Sequence, residues 1–319
     1  MKKALFVFCV ATGAASLCAA TLCAATTPDR TLLADAPVES VFFSPDSKTI
    51  AASSNKHVRT WEVSSGKVLG DRPTGGLLLS ANLLAERSAD RKATFIWDLA
   101  ADRRMYSINQ PVSGAALSSD GKQLAISSEK ERRLSLLDAE TGTTRRQLAD
   151  GVGGAASLAF SPDGSTVVSA NEDNDVRVWR TNSGELVRRM EDFTGAMFAA
   201  AFTPDGRQLL MGGLDETVYI FDATTYTLQR KLTGHGETIL ALAISPDGRT
   251  LVTGGFDVFT EKNPVHLVFW DLAAGVVSRR VDAPHAITAL TFAPDGHWLA
   301  MTTAGGKEIS LFSLSAPRP

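Results

Sequence analysis

Leu240-Ala241-Leu242-Ala243-Ile244-Ser245-Pro246-Asp247-Gly248-Arg249-Thr250-Leu251-Val252-Thr253 is the stretch on which the fold turns. A short apolar run ends in Ser-Pro-Asp-Gly, and an extended run follows. Pro246 presets φ, Asp247 bonds nearby backbone and Gly248 takes the positive φ, so the stretch predicts a β-hairpin. The same phrase returns about every 42 residues, as Phe160-Ser161-Pro162-Asp163-Gly164, Phe202-Thr203-Pro204-Asp205-Gly206 and Phe292-Ala293-Pro294-Asp295-Gly296. A period of this size means that one supersecondary unit was copied and buries its surface against its own copies.

A second ladder keeps step with the first. Trp61, Trp97, Leu137, Trp179, Phe221, Trp270 and Phe312 each close an alternating run, and Asp98, Asp138, Asp222 and Asp271 follow four of them. Seven anchors predict seven repeats over residues 38–314. Leu267-Val268-Phe269-Trp270 supplies a third strand after the hairpin, and Val276-Val277-Ser278-Arg279-Arg280-Val281 a fourth. Each unit therefore reads as a four-stranded antiparallel meander. The second unit departs most, with Ser80-Ala81-Asn82 where the Ser-Pro-Asp-Gly turn belongs.

First strands carry small residues, such as Ala115-Ala116, Ala156 and Ala159, Ala199-Ala200-Ala201, and Ala241 and Ala243. Face-to-face sheets normally need about 10 Å of side chain between them, so small residues at one strand position predict sheets that converge there. Blades arranged radially about an axis do this, with the large anchors further out where more volume must be filled. Trp97-Asp98, Trp270-Asp271 and Gly234-His235 then carry a resemblance: the chain looks like a WD-repeat β-propeller over nearly its whole length after the leader. The expected fold is all-β, a seven-bladed propeller of four-stranded antiparallel blades. The N-terminus is expected to close the ring, because residues 30–35 (Arg-Thr-Leu-Leu-Ala-Asp) resemble the fourth strand at residues 145–150 and the last unit runs out after Leu314.

Residues 1–25 are a different kind of segment. Lys2 and Lys3 precede an apolar stretch over residues 4–15, and small residues follow to Ala25, the pattern of a secretory signal peptide cleaved after Ala20 or Ala25. An uncleaved membrane anchor is the alternative. Residues 26–319 form the propeller, and the expected location is periplasmic or extracellular, with no membrane span after cleavage. Cys9, Cys18 and Cys23 all fall in the leader, so the mature chain is expected to have no disulfide or thiol chemistry. Leu17 and Leu22 before Cys18 and Cys23 argue against lipidation. The formal charge is −3, and loss of Lys2 and Lys3 makes it more negative, which does not suit a nucleic-acid binder.

Several residue sets suggest chemistry. The resemblance implies that His235, Thr253, Asp257 and Trp270 form a structural hydrogen-bonded tetrad; the same types could suggest nucleophilic catalysis, but no Gly-x-Ser-x-Gly elbow occurs. Asn171-Glu172-Asp173-Asn174-Asp175 places oxygens at alternate positions, yet Val176 and Asn182 stand where a calcium loop wants Gly and Glu, so it reads as a polar turn. His57, His266, His285 and His297 lack zinc-ligand spacing. No dinucleotide or phosphate loop is present, and no cofactor is expected. Arg103-Arg104, Arg145-Arg146, Arg188-Arg189, Arg230-Lys231 and Arg279-Arg280 recur on fourth strands, where they protect an outer edge or form a basic girdle for an anionic ligand.

The functional expectation is an exported, non-catalytic platform for protein partners, as the resemblance implies. The alternatives are a propeller hydrolase or lactonase with a site at the channel mouth, and a glycan or polyanion binder. Thirteen positions separate Asp257 from Trp270 against six from Asp215 to Phe221, so the sixth unit carries an insertion between its second and third strands. Phe256, Val258, Phe259, Glu261 and Lys262 in it are the predicted partner-binding residues, the alternative being a hairpin that folds back on its own blade.

Overall fold

The computed structural model describes residues 27–128, 133–148, 155–171, 174–191, 193–257 and 264–314. Seven four-stranded antiparallel sheets stand in sequence, spanning residues 40–72, 77–108, 114–148, 155–190, 197–232, 238–283 and 287–313 with Arg30–Leu33. They are numbered here as blades 1 to 7, and strands within a blade run first to fourth from the axis outward. Successive first strands pack against one another at every junction except that between blades 2 and 3, where the first strand of blade 2 is short, and apolar clusters fill the spaces between and within blades. The small residues stand on the inner strands as expected, while Trp61, Trp179 and Trp270 are almost wholly buried on third strands.

Antiparallel order sends the two kinds of connection to opposite ends. Turns between strands 1 and 2 and between strands 3 and 4 open on one face, the turn face. Connections between strands 2 and 3, and from each blade to the next, open on the other, the loop face.

The Ser-Pro-Asp-Gly turns owe their recurrence to one hydrogen-bond set. The hydroxyl of Ser44, Ser118, Ser161, Thr203 and Ser245 donates to the aspartate two residues on at 2.5–2.6 Å. The same oxygen accepts the amide five residues on at 2.9–3.0 Å. The hydroxyl bond holds the carboxyls of Asp46, Asp120 and Asp163 below the usual carboxylate range. Gly248 has φ +71°, a conformation that costs an L side chain about 1 kcal/mol.

Ring closure follows the sequence expectation. Arg30–Leu33 pairs antiparallel with the third strand of blade 7, Arg30 opposite Leu311 and Leu33 opposite Glu308. Leu32 is buried in the cluster that joins blades 7 and 1. Ser47, which takes the turn's glycine position in blade 1, accepts the Asp295 amide of blade 7 at 3.0 Å.

The basic fourth strands do more than guard an edge. Arg146 donates from Nε to the Asn182 carbonyl of the next blade at 3.1 Å. Arg230 reaches the Leu272 and Ala273 carbonyls, Arg30 the Val63 carbonyl, and the Tyr106 hydroxyl the Ala139 carbonyl at 2.8 Å. These four occupy equivalent positions and fasten each outer strand to the next blade's 3–4 turn. Gly142 shows why such turns carry glycine: a Cβ there would lie 2.3 Å from the Tyr106 ring.

Candidate functional site on the loop face

Blade 2 is where the repeat is weakest and where the loop face opens. Its first strand is reduced to Leu77–Leu78, paired only with Leu84 and Ala85. Before it, Gly75 passes so close to blade 1 that a Cβ would sit 2.2 Å from the Ser54 oxygen and the Asn55 carbonyl carbon. Gly76 then donates its amide to the Ser54 carbonyl at 3.0 Å. Only residues without side chains fit this passage, and the short strand leaves a cleft of about 470 Å³ on the loop face of blades 1 and 2.

Glu39, Asn55, Arg87, Ser88, Arg91 and Thr94 supply the cleft's polar lining, with Leu77 and Val112 beneath. Glu39 precedes the first strand of blade 1 and is anchored by its amide to the Ser53 carbonyl at 2.8 Å. Loss of solvent around its carboxyl pushes the pKa up, and the positive charge of Arg87 pulls it partly back. Thr94 is buried, donating to the Gln110 carbonyl at 3.0 Å and accepting the Val112 amide at 3.1 Å, so it fixes the connection to blade 3. The cleft thus presents a carboxyl, two guanidiniums and an amide on backbone held by neighbouring blades. Its lining carries one carboxylate and no histidine among the described residues. Sequence reading missed this site, although the Gly75-Gly76 pair inside the most divergent unit marks it.

Of the predicted tetrad residues, Thr253 and Trp270 lie on blade 6, Asp257 follows its second strand, and His235 lies in the connection that enters the blade from blade 5. Trp270 donates from Nε1 to the Thr253 hydroxyl at 2.8 Å, both residues buried. His235 is 1% exposed, and its Nδ1 lies 3.0 Å from the Glu237 carbonyl oxygen. Burial pushes its imidazole pKa down to about 4. Asp257 ends the described part of the second strand's exit.

Of the predicted partner-binding residues, Phe256 is half-buried against the cluster of blades 6 and 7. Val258, Phe259, Glu261 and Lys262 lie outside the described residues. Part of the insertion lengthens the hairpin itself, whose strands run Thr250–Phe256 and Val265–Asp271.

Two charged groups differ from their sequence reading. Asp175 is 1% exposed and is no open polar turn: Asn171 Nδ2 donates to it at 2.6 Å, Arg177 at 2.8 Å and Arg189 at 2.7 Å. Its partner in the calcium-like reading, Asp173, lies outside the described residues. Asp35, His57 and Asp71 come together in space although their spacing gave no hint. Arg59 ion-pairs with both aspartates, so a guanidinium supplies the positive charge there.

Residues 23–62, 150–180, 184–222 and 226–257 match the family model for the WD domain, G-beta repeat. The ring geometry and these matches together define the class: the chain is a seven-bladed β-propeller that carries WD repeats in these four regions. An uncharacterized WD repeat-containing protein of Synechocystis sp. is 34% identical over 100 residues, 30% of this chain and 28% of that relative. The chain therefore spans under a third of the curated relative it matches.

Proposed function

We propose that the protein is a platform for protein partners that receives an extended partner segment in the loop-face cleft between blades 1 and 2. The observation that carries this reading is the cleft itself, in which Glu39 and Arg87 line a groove beside the Gly75-Gly76 passage. A carboxyl beside a guanidinium on rigid backbone suits a polar segment that brings both a donor and an acceptor. WD-repeat propellers are commonly interaction scaffolds, and fold alone does not choose the partner. The hydrolase alternative calls for several carboxylates and histidines at one channel end, a set this cleft does not assemble.

A photo-crosslinking residue at Asn55 or Arg91, compared with one at the outer-strand Arg103, tests the proposal. One partner captured from the loop face and absent from the outer edge is the expected result; equal capture at both places overturns it. Export is part of the same proposal and rests on the charged, apolar and small-residue order of the leader. Mass spectrometry of the mature N-terminus is expected to find Thr21 or Thr26 first, and an intact Met1 in cells rules export by cleavage out.

A further inference from the structure

The turn face of the junction between blades 3 and 4 holds a second cleft, of about 410 Å³, lined by Gln123, Arg145, Arg146, Thr181 and Asn182. Neighbouring residues on a regular strand point to opposite faces. Here a β-bulge interrupts the pairing of the third and fourth strands of blade 3: Leu136 opposes Arg146, while Leu137 opposes Thr144, which leaves Arg145 as the extra residue. A bulge re-aims the side chain it carries, and both guanidiniums line the same space.

The charges in this cleft are unevenly balanced. Arg145 ion-pairs with Asp138 at the surface. Arg146 is held by neutral oxygens: its Nε donates to the Asn182 carbonyl at 3.1 Å and its Nη1 to the Arg145 carbonyl at 2.7 Å. Those bonds orient the guanidinium plane, and its charge has no carboxylate partner among the described residues. Gln123 is likewise oriented, donating from Nε2 to the Gly164 carbonyl at 3.2 Å, and Thr181 bonds the Gly164 carbonyl at 2.8 Å. The other basic pairs differ. In blade 4, Arg189 pairs with Asp175 and Glu191; in blade 6, Arg279 lies over the Phe269 ring at 5.0 Å; in blade 5 the bulged position holds Gln229.

We infer that the cleft between blades 3 and 4 binds a tetrahedral oxyanion, a phosphate or sulfate group, through the paired guanidiniums of Arg145 and Arg146 with Gln123 at its side. A guanidinium offers its N–H donors as a planar fork that fits two oxygens of such an anion. Asp138 competes for Arg145, so the site is held below its full affinity by its own carboxylate.

The test is an NMR titration of the whole protein with inorganic phosphate, and in parallel with inorganic sulfate and a sulfated disaccharide, following the arginine Nε–H signals. Saturable shifts confined to Arg145 and Arg146 are expected. Arg146→Gln is expected to weaken phosphate about tenfold and Arg145→Gln about threefold. Asp138→Asn keeps the Oδ1 that accepts the Glu140 and Thr141 amides but removes the competing charge, and is expected to tighten phosphate about threefold. Because Arg145 and Asp138 lie on the surface, those two variants remain readable if Arg146→Gln lowers stability. Tighter binding of the disaccharide than of sulfate assigns the anion to a glycan, and the reverse to a free ion. Unsaturable shifts spread over all outer-strand arginines, or unchanged binding in Arg145→Gln and Asp138→Asn, overturn the inference.

Discussion

Blades 6 and 2 carry the same Trp-Asp dipeptide and set it in opposite surroundings. In blade 6 the strands are long and Trp270 is 1% exposed, its indole spent on Thr253. In blade 2 the first strand has two residues, Trp97 is half-buried, and its indole donates at 2.6 Å to Glu86. Thr253 and Glu86 hold equivalent positions, two residues beyond the partner of each tryptophan. Arg72 of blade 1 covers the Trp97 ring at 4.3 Å. The motif thus marks where an indole goes, while the depth of the blade around it decides whether the indole meets a buried hydroxyl or a carboxylate near solvent. Blade 4 makes the point a third way: Trp179 is buried and Ser169 stands at the acceptor's position, yet they form no hydrogen bond.

The sharpest test removes each ring. Trp270→Ala is expected to cost about 4 kcal/mol by denaturant unfolding, and Trp97→Ala about 2 kcal/mol, because only the first leaves a fully enclosed cavity. Equal losses would break the comparison.

Acid should strike blade 6 next. The unfolded imidazole of His235 titrates near 6.5 and the buried one near 4, so between these values the unfolded chain takes a proton the folded ring refuses. Stability from this group is complete above pH 6.5 and is lost as pH falls to 4, by about 3 kcal/mol in all. Subtracting unfolding curves of His235→Gln from the parent at pH 7 and pH 4.5 isolates the effect; a difference that does not change with pH would show that the ring is not held neutral.

Blade 2 has its own weak point in Gly75. Gly75→Ala puts a Cβ against backbone, which cannot yield as a side chain can, and is expected to cost about 2 kcal/mol and to disturb the cleft at Glu39 and Arg87. A crosslinking yield from Asn55 that survives this change would separate the binding surface from the passage. The smallest effects lie at the indole acceptors: about 2 kcal/mol for Thr253→Val, which leaves the Trp270 N–H buried without its acceptor, and under about 1 kcal/mol for Glu86→Gln, which keeps one.

Much of this molecule was legible from short stretches. The Ser-Pro-Asp-Gly turns, the seven anchors and the strands between them depend on residues within a few positions of one another, so turn chemistry and alternation suffice to place them. Even the seam was readable, because residues 30–35 repeat the pattern of a fourth strand. The sites were not. Arg146 meets Asn182, Gly75 meets Ser54, and Asp35 meets Asp71 across blade boundaries or after a bulge, and no periodicity specifies such meetings. A repeat fixes what each blade is made of, because its hydrogen bonds close within the unit. Which side chains share a cleft between two blades is decided only when the ring closes, since packing sets how adjacent sheets are turned and spaced.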